Sequence, residues 1–495
     1  MESAVSTNVS GKARESLLVL SDVHLGSDLN VQALTTGFGR RSKKVDDDLV
    51  RLLEHYRKTP PTGARWRVVI AGDFIDFIGM AIPAGDVKLE TQLTEEEIEH
   101  GVGNAEDHAH LKWMRVLERH PEVFRALAGF IADGHAITIV HGNHDVELYW
   151  PKVQAGIRES LVSSALVAGA TKSVADLESE IEFCPWFFYQ QGVAYIEHGH
   201  QYDPLCATDS ILAPLSPLDP RRIAQGFCEV FLRYVVRPTK GIREHGHEHT
   251  GIFDYVRMGM NLGLRGMLTL GLRFALGVIE LIRVQRGFLT DAARQLKAEN
   301  ERRMSELANK TRLGLDKLRE LAALQVPPVT RSIYDILASV LLDRLAVALA
   351  ACATLAVLVP LAVHRHHAHL TGLPTLATAI GIVVAAWIAS HVYMSARRKI
   401  DPALYMSERA AKLVKLFPAA FVVMGHTHAP ARQPIGERAT YINLGSWDED
   451  ETTDTDAIPY EAARTHLVIH PAAEPEAEPV AVFLRWDSKD GPREF

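Results

Sequence analysis

Cysteine is scarce in this chain: Cys184, Cys206, Cys228 and Cys352 are the only four in 495 residues. They lie far apart with no CxxC pair, so the spacing indicates neither a disulfide framework nor a zinc ribbon, and a reducing compartment is expected. Positive charge is also short, 53 Lys and Arg against 61 Asp and Glu for a net charge of −8, which argues against general nucleic-acid binding. Residues 1–16 are polar, without the charged-then-apolar order of a signal peptide, so no export is expected. Disorder is not expected either, because 47% of the residues are hydrophobic and only 23% charged. The length allows two or three domains.

What the chain does have is a repeated kind of ending. The apolar run 17–20 stops at Ser21-Asp22-Val23-His24. Side chains alternate along a strand, so an acidic residue and a histidine two positions apart would project to one side, which is an arrangement for metal ligands. Four more apolar runs end similarly, in Gly72-Asp73-Phe74-Ile75-Asp76, His141-Gly142-Asn143-His144-Asp145, His198-Gly199-His200 and Gly425-His426-Thr427-His428. One such ending could be chance; five are not.

The remaining pattern is α/β. Strands are expected at 17–21, 67–71, 136–140 and 193–196, and helices at about 45–58, 105–119 and 121–133. Pro121 suits the start of the last helix, and Gly134 its end. The basic run Arg40, Arg41, Lys43 and Lys44 reads either as a solvated face or as contact with an incoming phosphate group, which makes Arg40 and Arg41 candidate substrate contacts. From about 203 to 416 no strand is expected. Residues 421–424 then resume the strand-plus-ligand theme, so the gap reads as an insertion. Further strands are expected at 441–444, 465–469 and 480–486, with a Pro- and Glu-rich surface loop at 472–479.

The chain therefore divides into residues 1–204 and 401–495 as the two parts of one domain, a helical, basic and amphipathic cap at 205–332, and a hairpin at 333–400. Arg257, Arg265, Arg273 and Arg283 fall within an arc of roughly 160° at helical spacing. Met260, Leu264, Met267, Leu270, Phe274, Val278 and Leu281 crowd the opposite side. That is the profile of a helix lying in a membrane interface, or of one packed on the domain with its arginines in water. The polar helical stretch from 286 to about 325 could pair with another copy or pack on its own chain.

Residues 345–363 and 373–394 contain no Asp, Glu, Lys or Arg, and each is close to the ~20 residues that cross a hydrocarbon core. A transmembrane hairpin is expected, against the alternative of a buried hairpin in a soluble protein. His364, His366, His367 and His369 read as a surface connection, and His245, His247 and His249 as an exposed loop rather than a metal site. Arg331 and Arg344 before the hairpin and Arg397, Arg398 and Lys399 after it outweigh Arg365 in the connection. By the positive-inside rule the rest of the chain faces the cytoplasm, on the inner membrane.

Asp22-x-His24, Gly72-Asp73-x-x-Asp76, Gly142-Asn143-His144-Asp145, the His198 run and Gly425-His426-x-His428 resemble, in order, the five motifs of the calcineurin-like metallophosphoesterases. The resemblance covers about 17–204 and 416–490. It implies an α/β fold of two mixed sheets packed face to face, flanked by helices, with the site at the strand ends. It also implies two divalent ions bridged by Asp73. Asp22, His24 and His428 would complete one ligand set, and Asn143, His198 and His426 the other. Carboxylate oxygens and imidazole nitrogens together suit Mn2+, Fe or Zn, and Mn2+ is expected. His144 would protonate the leaving oxygen or hold the phosphate, with Asp76 orienting it, and His200 would neighbour the substrate.

Within that family the chain looks most like the membrane-associated branch that includes UDP-2,3-diacylglucosamine hydrolases, which implies a lipid-linked diphosphate substrate met at the membrane. That branch commonly has Arg after the Gly-Asn pair, where this sequence has His144. Broad phosphomonoesterase or phosphodiesterase activity is thus the alternative. An inactive membrane-tethered scaffold is the reading from a different class, which the intact ligand set opposes.

Overall fold

The computed structural model describes residues 14–30, 40–239, 263–340, 342–367, 373–397, 401–451, 462–472, 474 and 477–495. It is a mixed α/β structure with two multi-stranded sheets and many helices. β1 (Glu15–Leu20) is buried along its whole length. A strand with no solvated face must lie inside a covered sheet, and β1 is accordingly flanked on both sides. It pairs parallel with β3 (Arg65–Ala71) and antiparallel with β12 (Thr465–His470). β4 (Ala136–Val140) and β5 (Ile181–Cys184) extend the parallel side; β13 (Val480–Asp487) and β14 (Gly491–Glu494) extend the other. The order is β14-β13-β12-β1-β3-β4-β5.

Alternation along these strands builds two cores at once. Leu18, Leu20, Val68, Ile70, Ile137 and Ile139 point outward, into a cluster with side chains of the helices Lys43–Lys58, Glu106–Arg119, Pro121–Ala132 and Pro151–Val167. Leu17, Val19, Val69, Ala71 and Val140 point the other way and meet Ala194, Ile196, Phe421, Val423 and Ile442 of the second sheet. That sheet contains β6 (Phe187–Gln190), β7 (Gly192–Glu197), β8 (Ala419–Met424), β9 (Ala431–Ile435) and β10 (Ala439–Asn443), in the order β6-β7-β8-β10-β9. Its outer face, with Tyr195, Val422, Met424 and Tyr441, is covered by the helices Asp291–Thr311, Leu315–Leu324 and Pro402–Leu416. The layers are thus helix, sheet, sheet, helix. The strands β2 (Arg40–Arg41) and β11 (Asp450–Glu451) form a separate two-stranded ribbon.

Between β7 and β8 the described residues form helices and turns, without a strand. Several arginines expected to bias this stretch toward basic character face inward instead. Arg222 pairs with Glu97 at 2.8 Å, Arg233 pairs with Glu96 and donates to Gly101 O at 2.9 Å, and Arg237 donates to Met80 O at 3.2 Å. They fasten the segment to the stretch after β3, including the short helix Glu95–His100.

The helix Gly263–Gly287 follows in part the second reading, that of a helix packed on the domain. Much of the apolar side opposite the arginines docks on the protein. Val278 and Leu281 are buried, the Phe274 ring meets that of Phe231 edge-on at 5.2 Å, and Leu270 packs beside Ile78, Leu232 and Val236. Leu264 and Met267 stay exposed, and Leu268, Leu272, Leu276 and Ile279 form a second apolar stripe that is exposed as well. Arg273 lies at the docked side and donates to Thr239 at 3.1 Å. Arg257 and Met260 lie outside the described residues.

Residues Val329–Asp401 form a unit of their own. Its helices Leu342–His367 and Leu373–Arg397 lie against each other. Leu342–Leu361 and Ala377–Met394, with mean hydropathies of 2.1 and 1.6, are long and apolar enough to cross a membrane. None of the first and 6% of the second is buried, so the described residues do not give them the cover that a buried hairpin needs. The first helix continues through His367, so His364, His366 and His367 belong to its last turns rather than to a loop. His369, His245, His247 and His249 lie outside the described residues.

Candidate metal centre

β1, β3 and β4 run parallel in one sheet, and β7 and β8 run parallel in the other. Their carboxyl ends deliver Asp22 and His24, Asp73 and Asp76, Asn143 and His144, His198, and His426 and His428 respectively. The carboxyl edge of parallel strands is where α/β proteins place their sites.

The ligands do not meet by strand alternation, as the sequence pattern suggested. β1 ends at Leu20, and Asp22, His24, Asp73, His426 and His428 all have left-handed backbone, with φ of 53°, 52°, 50°, 71° and 55°. Such conformations cost roughly 1–3 kcal/mol each and persist where the surroundings over-determine them. Here the loops fix one another. The amides of Val23 and His24 both donate to Asp73 O at 2.9 Å, and the His426 amide donates to the Asp22 carboxylate at 3.2 Å. The motif glycines serve the same convergence: a Cβ on Gly72 would collide with the His198 ring, one on Gly142 with the Asp73 carboxylate, and one on Gly425 with that of Asp22.

Four donor groups result. Asp22, His24 and His428 each place a ligand atom within 4.8 Å of the others, as do Asp22, Asp73 and His198; His24, Asp76 and His144; and Asp203, Cys206 and His426. His428 Nε2 is 3.2 Å from Asp22 Oδ1 and 3.3 Å from His24 Nε2, and His24 Nε2 is 3.8 Å from Asp73 Oδ2. His198 Nε2 lies 3.1 Å from both Asp73 Oδ2 and Asn143 Oδ1, while its Nδ1 is 3.0 Å from Ala71 O. A backbone carbonyl on Nδ1 fixes the tautomer and leaves Nε2 for a metal.

The electrostatics fit a cation. Burial would raise the Asp22 and Asp73 carboxyls, yet His198 foremost, with His428 at Asp22 and His144 at Asp73, holds Asp22 below and Asp73 well below the ordinary range. Against its own burial, His198 is pushed up to about 10 by Asp73 and Asp22. Carboxylates that retain a proton on a buried imidazole equally attract a metal ion. Hard carboxylate oxygen with imidazole nitrogen is the donor mixture of Mn2+, Fe or Zn sites, so these groups could hold a metal ion.

His144 is placed differently. Its Nδ1 is 2.7 Å from Asp76 Oδ1, its amide donates to Asp73 Oδ1 at 2.9 Å, and its ring meets that of His24 edge-on at 4.6 Å. Asp76 is buried and also accepts from the Gly79 amide at 2.7 Å. Asp145, given no role by the motif, ties two ligand loops together by accepting from Gly142 N at 2.6 Å and Phe74 N at 2.8 Å. Burial and the Asp73 charge raise its carboxyl to about 7.

Arg41 faces inward: it is 2% exposed, pairs with Asp46 at 2.9 Å and Asp448 at 2.7 Å, and donates to Val23 O at 2.5 Å. It braces the backbone beside His24, and removing one partner of a buried pair costs ~3–5 kcal/mol. Arg40 is joined to Glu451 through the two-stranded ribbon. His200 is not on an extended strand, because Gly199 at φ 103° turns the chain into a short 3-10 helix. Its ring is buried 5.5 Å from that of His198, and burial, then His198 and His426, push its pKa well below the usual value.

His426 stands beside His198, ring centroids 5.3 Å apart, but its Nε2 faces Asp203 Oδ2 at 3.2 Å. Asp203 was missed in the sequence. Its only signal was a carboxylate five residues beyond His198. The chain matches no protein-family model and no curated protein.

Proposed function

We propose that this protein is a dinuclear-metal-dependent hydrolase of a phosphate ester or diphosphate bond, acting on a lipid-linked substrate at a membrane. The reading is that of a calcineurin-like metallophosphoesterase similar to the UDP-2,3-diacylglucosamine hydrolases. The observation that carries it is the convergence of two buried carboxylates, Asn143 and the four histidines His24, His198, His426 and His428 from five strand ends. Asp22, His24 and His428 would hold one ion, Asn143, His198 and His426 the other, and Asp73 both. When bound, a pair of Mn2+, Fe or Zn ions neutralises phosphate oxygens and makes water more acidic.

The chain's own part is orientation and proton transfer. Asp76 holds the Nδ1 side of His144, and the oriented ring exchanges a proton with the leaving oxygen. His144 in the place of an arginine also favours the second reading, a broad phosphomonoesterase or phosphodiesterase. Purified, detergent-solubilised protein with Mn2+ should cleave members of a panel of nucleotide-linked lipids, lipid phosphates and soluble phosphodiesters, with products identified by mass spectrometry. Cleavage of soluble diesters alone selects the second reading; no cleavage with Mn2+, Fe or Zn rejects both.

The two exposed apolar helices anchor the chain as a hairpin, with the hydrolase on the cytoplasmic side of the inner membrane by the positive-inside rule. In a background without native cysteines, Thr371→Cys should react with an impermeant thiol reagent from the external or periplasmic side, while Ser10→Cys stays protected. The opposite labelling would reverse the orientation, and release by carbonate without detergent would remove the hairpin.

A further inference from the structure

Two of the four cysteines, 22 residues apart in sequence, meet in space: Cys206 Sγ and Cys228 Sγ are 3.0 Å apart. Each comes from backbone that other contacts hold. Cys206 lies in the turn after β7, where the amides of Cys206 and Ala207 donate to Asp203 O at 3.0 and 2.7 Å and that of Leu205 donates to Asp203 Oδ1 at 2.9 Å. Cys228 lies on the short helix Phe227–Phe231. Just beyond that helix, Arg233 and Arg237 fasten the chain to Gly101 O and Met80 O. The sulfurs therefore meet because the fold brings two separately fixed segments together. Both residues are half-buried, within reach of a small oxidant, whereas Cys184 is buried and Cys352 lies on the first apolar helix.

We propose that Cys206 and Cys228 are a reversible thiol–disulfide pair, a redox-modification site whose oxidised form ties the helix Phe227–Phe231 to the turn that carries Asp203. A disulfide sets its sulfurs ~2.05 Å apart, so closure asks for a movement of about 1 Å. The oxidant is a low-molecular-weight disulfide of the glutathione class. Two S–H bonds break and one S–S bond forms between the cysteines; the two electrons and two protons convert the small disulfide into two thiols. In a reducing compartment such a bond is transient and redox-sensing rather than structural. The Cys228 thiol, then burial, pushes the Cys206 thiol well above its ordinary value, which keeps that sulfur protonated and slows exchange. The pair thus follows a sustained oxidising poise rather than a brief pulse. Closing the loop between the two cysteines restricts the unfolded chain, so the oxidised form unfolds at a higher temperature. The inference does not rest on the hydrolase reading, because neither sulfur belongs to a ligand set there.

The full-length protein in detergent is equilibrated for hours in glutathione buffers of graded redox poise. A chelator removes metal, which would otherwise shield the thiols. Remaining thiols are alkylated and the protein is mapped by mass spectrometry, in wild type and in Cys184→Ser/Cys352→Ser, which keeps only this pair. The expected result is that Cys206 and Cys228 leave the alkylated pool together, appear as one pair of joined peptides lighter by two hydrogens, and return under a phosphine. The oxidised double variant should unfold at a higher temperature than its reduced form, and that shift should vanish in Cys206→Ser and in Cys228→Ser. Cysteines that stay alkylated in the most oxidising buffer overturn the proposal. So do a glutathione adduct on either one without the internal bond, a bond to Cys184 or to a second copy, and an unfolding temperature that oxidation leaves unchanged.

Discussion

Asp73→Asn is expected to lower turnover by more than any other single substitution at the site, and to lower metal content with it. Asparagine keeps the size of the side chain and removes the charge. That charge stands 3.1 Å from His198 Nε2 and 3.8 Å from His24 Nε2, one ligand from each set. Losing groups that merely support metal ligands costs ~10–100-fold in affinity or activity, so losing the shared ligand should exceed about 100-fold. Elemental analysis of dialysed protein beside a hydrolysis assay checks this. Unchanged stoichiometry in a folded variant would show that Asp73 is not the bridge.

His144→Asn should separate proton transfer from metal binding. His144 belongs to neither ligand set that the resemblance implies, although it shares a donor group with His24 and Asp76, so its loss should leave metal content nearly unchanged. General acid–base groups contribute ~10²–10⁴-fold, and turnover should fall by that order. Asp76→Asn should produce a smaller decrease, because the histidine remains but loses its orienting carboxylate. Loss of both metals in the His144 variant would assign it to ligation instead.

The candidate ligands stand out in the sequence because each group follows a strand closely, and in three of the five a glycine precedes the candidate ligand. Gly72, Gly142 and Gly425 mark places where one loop must lie against another loop's ligand, and such a residue is visible without knowing the fold. The means of convergence was not visible. Alternation along a strand predicted that Asp22 and His24 share a side, whereas left-handed backbone at both positions brings them to the site. Arg41 and Asp203 illustrate a second limit. Both act through partners far along the chain, Asp448 for one and His426 for the other, and a basic run looks the same whether it meets solvent or a buried carboxylate.

Periodicity leaves two readings open for the helix Gly263–Gly287, which has two apolar arcs. A helical wheel finds both but does not say which one the domain covers; contacts with Phe231 and the Leu232–Val236 turn do. The short strands β5, β6, β9 and β14 are illegible for a simpler reason. A strand of four or five residues shows too little alternation to stand out from a turn. The two cysteines at 3.0 Å were hidden by the same distance in sequence that made them look isolated.

The central position of β1 has a consequence for how the chain is made. Ser16 and His470, which are hydrogen-bonded, lie 454 residues apart. At about 5–20 residues per second, roughly 20–90 s pass between the synthesis of β1 and that of its β12 partner. Throughout that interval one edge of β1, apolar on both faces, has no neighbour to pair with, which is the condition in which strands recruit other chains. The helices Leu342–His367 and Leu373–Arg397 leave the ribosome before β12 does. Anchoring by those helices, as proposed, would tether the nascent chain at a bilayer before its last strands arrive.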